Sequence, residues 1–154
     1  VAWRDKVQVQ AGLTAQNSRY KEARTWSDEG GVEATRKMFR TPDFYGYLSA
    51  SYNPIKRMQL SLTGTYTGSM LIEHHAGFID SNKSVETPDF WDLNFKIAYD
   101  FKIYSSFSLQ LNAGVQNMLN SFQKDFDSGA DRDSGYIYGP TLPRSFFLGI
   151  KLNY

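Results

Sequence analysis

Hydrophobic and polar residues alternate one by one over most of this chain. In the segment that ends it, every second residue is apolar: Phe146, Leu148, Ile150, Leu152 and Tyr154. A period of two predicts β-strands, because successive side chains of a strand point to opposite faces of a sheet. The alternation predicts six strands, at residues 4–19, 43–53, 57–72, 90–101, 107–119 and 144–154. No segment has the three-to-four spacing of an amphipathic helix, so the pattern indicates an all-β protein.

Three properties of the predicted strands favour a membrane-spanning barrel over a soluble β-sandwich, which is the alternative. The strands are longer than the about 5 to 6 residues of most soluble strands, and they reach the roughly 9 to 11 residues that a tilted membrane strand needs. Their polar faces are mostly Gln, Ser, Thr and Asn, which suit a water-filled lumen. Their apolar faces carry aromatic residues near the ends, where outer-membrane barrels have interfacial girdles: Phe44, Tyr52, Trp91, Tyr99, Phe101, Phe107, Phe146 and Tyr154.

The composition agrees with such a barrel. The chain is 41% hydrophobic, with a mean hydropathy of -0.48. Barrel strands keep the average hydropathy low because their apolar residues alternate with polar ones. No run of about 18 apolar residues is present, so no membrane helix is expected. The net charge of +1 gives no reason to expect nucleic acid as a partner. The absence of cysteine excludes disulfides and thiol chemistry within this sequence.

The connections between the predicted strands alternate between short and long. Short turns fall at residues 53–56 and 102–106, and long loops at 20–42, 72–88 and 120–143. Outer-membrane barrels have short periplasmic turns and long extracellular loops, so the alternation predicts that the long loops are extracellular. Single-chain barrels have about 8 strands or more, so this chain cannot close one alone. We therefore expect a segment of a longer chain, as a start without methionine also suggests. Assembly from several copies, or a state outside the membrane, is the alternative.

Three sequence blocks near the end of the chain point to a family. Residues 111–120 read LNAGVQNMLN, residues 136–140 read YIYGP, and residues 142–149 read LPRSFFLG. These blocks resemble the C-terminal part of TonB-dependent outer-membrane receptors of the Bacteroidetes type. The resemblance is dense over residues 90–154 and is limited to the strand pattern over residues 1–88.

The resemblance implies a fold and a function. The fold would be an antiparallel up-and-down transmembrane β-barrel of about 22 strands, with residues 1–154 forming its last six strands. The plug domain and the TonB box are absent from this sequence. The family takes up scarce large nutrients, such as cobalamin, an iron–siderophore complex or an oligosaccharide, across the outer membrane of Gram-negative bacteria. Transport in this family is not an enzymatic reaction.

The resemblance also implies partners. These are the rest of the barrel, the plug domain, the TonB complex reached through the missing N-terminal part, outer-membrane lipid and lipopolysaccharide, and a surface lipoprotein. Two other functions stay open on the sequence. One is a soluble or self-assembling β-sheet module for surface interaction. The other is an outer-membrane barrel hydrolase that uses a histidine with a loop aspartate.

The candidate ligand-binding residues lie in the predicted extracellular loops: His74, His75, Arg132, Tyr136 and Tyr138. Neighbouring residues of an extended strand point to opposite faces, so His74 and His75 do not easily bind one metal ion. Solvated loop side chains are the alternative interpretation for both histidines. No catalytic sequence motif accompanies them.

Four alternating carboxylates in the last long loop resemble a calcium-binding loop: Asp125, Asp127, Asp131 and Asp133. Gly129 falls where an EF-hand requires a ligand, and no glutamate follows at the required spacing. The weak candidate is a structural calcium site, and the alternative is a hydrated surface loop; no other cofactor is expected. Nearby, Asn117 and Asn120 flank the end of a predicted strand. We expect their amides to satisfy backbone groups where the strand ladder stops.

Overall fold

All regular secondary structure in the described part of the chain is β-strand. The computed structural model describes residues 2–3, 6–29, 32–104 and 107–153. The strands in chain order are β1 (Ala2–Trp3), β2 (Val7–Ala15), β3 (Arg19–Arg24), β4 (Thr35–Lys37), β5 (Phe44–Tyr52), β6 (Met58–Thr67), β7 (Leu71–His74), β8 (Lys83–Glu86), β9 (Phe90–Tyr104), β10 (Phe107–Gln116) and β11 (Ser145–Asn153). Across these described ranges, no helix is long and apolar enough to cross a membrane. The prediction that Tyr154 ends the last strand falls outside them.

One antiparallel sheet organises the molecule. Its strand order is β1-β2-β5-β6-β9-β10-β11, so each strand pairs with the next sheet strand in sequence. This is the up-and-down order, and the predicted all-β antiparallel class is confirmed. The short β1 pairs with the side of β2 that faces away from β5. The remaining strands form the hairpins β3–β4 and β7–β8, which lie inside long connections.

The structure divides two segments that the alternation joined: the strand predicted over residues 4–19 ends as β2 at Ala15, and Arg19 begins β3. The sequence pattern predicts a single strand over residues 57–72, but β6 ends at Thr67 and Leu71 begins β7. Gly68 still donates its backbone N–H to the Phe44 carbonyl, after which the chain leaves the sheet and β7 pairs with β8. The alternation of apolar and polar residues indicates which face of a strand each side chain occupies. It does not indicate which other strand that strand pairs with. The prediction therefore missed both hairpins.

The strand register places like residues in rows across the sheet. One row that runs from β2 to β11 is apolar: Val9, Ala50, Leu62, Phe95, Val115 and Phe146. A neighbouring row is polar: Gln10, Ser49, Thr63 and Asn94. We call the two sides of the sheet that contain these rows the apolar face and the polar face. A slip of one residue in any pairing would mix the two faces, because the side-chain period of a strand is two.

The apolar face has no cover within the described part of the chain. Phe146 and Leu148 are 79% and 81% exposed, and Leu13 is 75% exposed. The buried hydrophobic cluster lies instead among the long connections, where it consists of Met70, Ile72 and Tyr136. A continuous apolar surface of this kind marks a contact with lipid or with another protein surface. The apolar face is therefore a candidate contact surface for lipid or protein.

Large side chains cover glycines on the polar face. The Tyr47 ring lies over Gly12, and the Phe147 ring lies over Gly114; each pair is directly opposite in the register. A methyl group added at Gly114 would lie 2.3 Å from the Phe95 carbonyl oxygen and 2.6 Å from the Phe147 ring. At Gly149 the nearest atom would be the side-chain amide oxygen of Asn112, at 2.8 Å.

The different neighbours of Gly114 and Gly149 predict unequal effects of alanine substitution at the two positions. Gly114→Ala is expected to destabilise the folded protein by about 1–3 kcal/mol, because the backbone carbonyl that blocks the new methyl group cannot move without disturbing the strand pairing. The matched control Gly149→Ala is expected to cost less, since the Asn112 amide can rotate away. Urea unfolding in detergent, followed by tryptophan fluorescence, measures both. Equal losses would contradict the packing described here.

Candidate functional site

Three long connections leave the sheet at the same end. They are residues 16–43, 68–89 and 117–144, which we call loop A, loop B and loop C. The strand ends that flank them are paired with one another in the register, which brings the loops together. The buried cluster of Met70, Ile72 and Tyr136 joins loop B to loop C. The three loops thus form one packed unit, the loop cap.

Loop A is tied to loop B by polar contacts. The Trp26 indole Nε1 donates a hydrogen bond to Ser84 Oγ at 2.9 Å, and the same ring meets His75 edge-on at a centroid distance of 4.7 Å. The buried Asn82 donates to Ser27 Oγ at 2.9 Å. Lys37 forms an ion pair with Glu86 at 2.9 Å. These contacts hold loop A against the β7–β8 hairpin.

Arg40 connects all three loops. It lies in loop A with a positive φ of 53°. Its guanidinium forms an ion pair with Glu73 of loop B at 3.2 Å. It also donates hydrogen bonds to the carbonyl oxygens of Gly135, at 2.7 Å, and Ile137, at 3.3 Å, both in loop C. Charge-assisted hydrogen bonds are stronger than neutral ones, so Arg40 is the main polar link across the cap.

The two histidines take different environments. His74 is buried; its Nε2 lies 3.0 Å from both carboxylate oxygens of Asp127, and its ring stacks on Tyr136 at 3.5 Å. His75 is exposed, contacts Trp26, and donates its backbone N–H to Asp133. The expectation that the two side chains diverge is confirmed. The interpretation of His74 as a solvated loop residue is wrong, because loop C packs over it.

The His74–Asp127 pair is enclosed. The exposed fractions of the two side chains are 5% and 2%. The His74 Nδ1 atom is buried and has no hydrogen-bond partner among the described residues. A histidine and an aspartate at this distance match part of a hydrolase site. Here, however, they are sealed between β7 and loop C, so the geometry suits a structural contact better than access for substrate.

Three of the four aspartates of loop C accept hydrogen bonds from different donors. Asp125 accepts from the Tyr136 and Tyr138 hydroxyls. Asp127 accepts from His74 and from the backbone N–H of Asp133. Asp133 accepts from the backbone N–H groups of His75 and Gly135. In the described ranges, no group of three or more His, Cys, Asp or Glu is arranged to hold a metal ion. The calcium prediction, which includes Asp131, gains no support from this arrangement.

Asp125 and its two tyrosine neighbours shift one another's pKa. Burial alone raises the pKa of Asp125, but the hydrogen bonds from Tyr138 and Tyr136 outweigh burial and hold the pKa below its usual value. Burial, reinforced by the hydrogen bond to Asp125, raises the pKa of Tyr136 to about 12. The same causes raise the pKa of Tyr138. At neutral pH, Asp125 is therefore an anion held by two neutral hydroxyl donors.

Amide side chains fix the path of loop C. Asn117 Nδ2 donates to the carbonyl oxygens of Ser121, at 3.2 Å, and Leu142, at 3.0 Å. Asn120 Oδ1 accepts the backbone N–H of Arg144 at 3.0 Å. The predicted capping role of both asparagines is confirmed. Gln123 is almost fully buried and bonds the Tyr136 carbonyl and the Tyr138 N–H. No sequence signal distinguished this glutamine from an exposed one.

The predicted ligand-binding residues do not form one group. Tyr136 and Tyr138 lie beside each other, with ring centroids 5.3 Å apart, and Tyr136 contacts His74. Arg132 is exposed and its guanidinium donates to the Gly129 carbonyl within its own turn. His75 faces loop A. The structure therefore unites three of these side chains inside the cap, and their role in ligand binding stays a prediction.

A polar recess lies below loop C on the polar face. Its volume is about 450 Å³. Thr63, Asp92, Asn94 and Gln116 contribute from the sheet, and residues 140–143 of loop C close it from above. None of these sheet residues was singled out from the sequence, because the polar residues of an alternating strand look alike.

Aromatic side chains gather on the apolar face near the loop cap. The Phe44 and Tyr66 rings lie 5.8 Å apart, and Tyr66 and Trp91 lie 4.5 Å apart. They border an apolar groove of about 650 Å³. Trp91 is 53% exposed. A band of aromatic rings at one end of an apolar face is the arrangement found where membrane barrels meet the interface.

The loop contacts predict that Arg40→Ala loosens the cap. Loss of its bonds to Gly135 and Ile137 should increase amide hydrogen exchange over residues 133–138 by about tenfold, because each lost charge-assisted bond is worth about 1.5–3 kcal/mol. Arg36→Ala is the matched control, since among the described residues Arg36 donates a hydrogen bond to the Tyr20 carbonyl, within loop A, and to no group of loop B or loop C. Hydrogen-exchange mass spectrometry measures both variants. Unchanged exchange in Arg40→Ala would show that the apolar cluster alone holds loop C.

Comparisons with known proteins give one fold match. No protein-family model matches the chain, and no curated protein matches it. The chain is similar to the ferric-catecholate import receptor Fiu from E. coli K12 in its closed form, with a TM-score of 0.59 and 22% sequence identity. The match covers 96% of this chain and 19% of the receptor chain, so this chain spans about a fifth of the length of its structural relative. At this identity the likeness shows the fold: this sheet has the fold of a segment of a receptor barrel.

Proposed function

We propose that this chain is the C-terminal barrel segment of a TonB-dependent active transporter in the outer membrane of a Gram-negative bacterium. The observation that carries the proposal is the register of the sheet. It gives one continuous apolar face, one continuous polar face, and three packed loops at a single end. The fold likeness to an import receptor supports the same interpretation.

The apolar face suits lipid. Its residues include exposed side chains on β2, β5, β9, β10 and β11, as Leu13, Trp91 and Leu148 illustrate, and those on β6 are half-buried. The sheet strands from β2 onward have 9 to 15 residues, which is enough for a tilted strand to cross the hydrocarbon core. The aromatic band of Phe44, Tyr66 and Trp91 would lie at the outer interface, directly below the loop cap.

The polar face suits the lumen of a closed barrel. An open sheet in lipid leaves unpaired backbone groups at its edges, and each costs several kcal/mol. The sheet described here is too narrow to close on itself. We therefore propose that further strands complete the barrel. At one edge of the sheet, this pairing begins with β1, which pairs with β2. A plug domain would then occupy the lumen.

The transport mechanism follows from this arrangement. The loop cap would bind a scarce large nutrient outside the cell: cobalamin, an iron–siderophore complex or an oligosaccharide. The TonB complex would then use the energy of the inner membrane to move the plug, and the ligand would pass along the polar face. Lipid, lipopolysaccharide and a surface lipoprotein are the proposed neighbours on the outside.

The experiment is fractionation of cells that make the native protein. The proposal predicts a protein of the outer-membrane fraction that needs detergent for extraction, is several times larger than 17.6 kDa, and binds the purified periplasmic domain of TonB. A water-soluble monomer would contradict the proposal and favour a soluble β-sheet interaction module. An outer-membrane protein that fails to bind TonB would keep the barrel but exclude TonB-driven transport.

A further inference from the structure

We infer that the polar recess below loop C binds an uncharged, hydroxyl-rich ligand, such as a sugar ring, and that Asp92 determines this preference. The inference rests on the proposed function, because it treats the polar face as the transport path. It goes further by assigning a site and a substrate class to residues that the sequence did not single out.

The recess is built before any ligand arrives. Residues 140–143 form the roof of the recess. Two hydrogen bonds hold the roof itself, and a third holds the residue that follows it. Asn117 Nδ2 donates to the Leu142 carbonyl at 3.0 Å, and the Gln123 backbone N–H donates to the Pro140 carbonyl at 2.9 Å. The Arg144 N–H, which follows the roof, donates to Asn120 at 3.0 Å. A preformed concave site loses less entropy on binding than a flexible loop does.

The polar groups that line the recess are only partly used within the protein. Asn94 accepts the Asn117 backbone N–H with its side-chain oxygen, which leaves its NH₂ group free to donate. Gln116 accepts the Ser145 hydroxyl in the same way. The Asp92 carboxylate makes no ion pair or side-chain hydrogen bond within the described part of the chain. The recess therefore offers amide donors and one free carboxylate acceptor.

The charge of the lining selects against anions. Asp92 carries the recess's negative charge, and its lining contains no Lys, Arg or His. An anionic ligand would meet a like charge without a compensating cation in the lining, and like charges repel one another at short range. A neutral polyol has hydroxyl hydrogens for the Asp92 carboxylate and oxygen atoms for the amide NH₂ groups, so it satisfies both kinds of free group.

Exposed aromatic rings extend the same surface. Tyr47 pairs with Thr65, which pairs with Asp92, so the tyrosine stands two strands from the recess in the same row. Its ring extends over Gly12 of β2, on the side away from Asp92, so the recess and the ring are about three interstrand spacings apart, roughly 14 Å. Tyr47 and its neighbour Tyr45 are 47% and 40% exposed. An apolar sugar face packs well on an aromatic ring, so a short oligosaccharide can reach from the recess to these tyrosines.

The experiment uses the full-length receptor, purified in an amine-oxide detergent, since maltoside headgroups would compete for the site. Isothermal titration calorimetry measures binding of two probes: a panel of neutral gluco-, manno- and xylo-oligosaccharides, and the anionic iron(III) tris-catecholate complex. We expect at least one oligosaccharide to bind and the iron complex not to compete with it. Asp92→Asn should weaken that binding about tenfold, and Thr141→Trp, which fills the recess from its roof, should abolish it.

Asp100→Asn is the matched control, since Asp100 lies on the polar face near the opposite end of the sheet and accepts a hydrogen bond from Gln110. Its oligosaccharide affinity should equal that of the unaltered receptor. The inference is overturned if no oligosaccharide binds, if Asp92→Asn and Thr141→Trp leave binding unchanged, or if the iron complex displaces the sugar. A receptor that lies in the outer membrane and binds TonB, yet gives one of these results, would retain the proposed function and lose only this site.

Discussion

The backbone pairing of the sheet strands is the constraint on which the rest of the structure depends. Apart from one shift between Phe107 and Ser108, the register from β2 to β11 places apolar residues opposite one another on one face of the sheet. Because a strand reverses face with each residue, every pairing must hold for either face to be continuous. The covered glycines belong to the same constraint, since Tyr47 and Phe147 lie over Gly12 and Gly114 only in this register.

The loop cap is a consequence of that sheet. Because the sheet strands alternate in direction, the three long connections lie at one end of the sheet. There they contain the buried core of Met70, Ile72 and Tyr136. Arg40 then joins the loops through the Glu73 carboxylate and two loop C carbonyl oxygens. The three loops are thus one packed unit and not a set of independent flaps. The same packing holds the roof over the polar recess.

The sequence predicts the sheet better than the cap, for a physical reason. The alternation of apolar and polar residues along each strand is a local pattern. It was sufficient to predict the all-β class and the up-and-down order of the strands. The division of residues 57–72 into two strands depends on which partner each half pairs with, and no local pattern encodes that choice. The buried states of His74 and Gln123 depend on loop C folding back over β7 and over itself. Asn117 and Asn120 were predictable because a capping amide acts on backbone groups near the strand end.

The most direct test of the account is the environment of alternate residues along β6. The chain has no cysteine, so single cysteines at Leu60, Ser61, Leu62 and Thr63 can each carry a spin label in the full-length protein reconstituted in lipid. The account predicts collisions with oxygen at residues 60 and 62 and with a water-soluble nickel chelate at residues 61 and 63. Equal access of the nickel chelate to all four positions would contradict it, because the apolar face would then be in water.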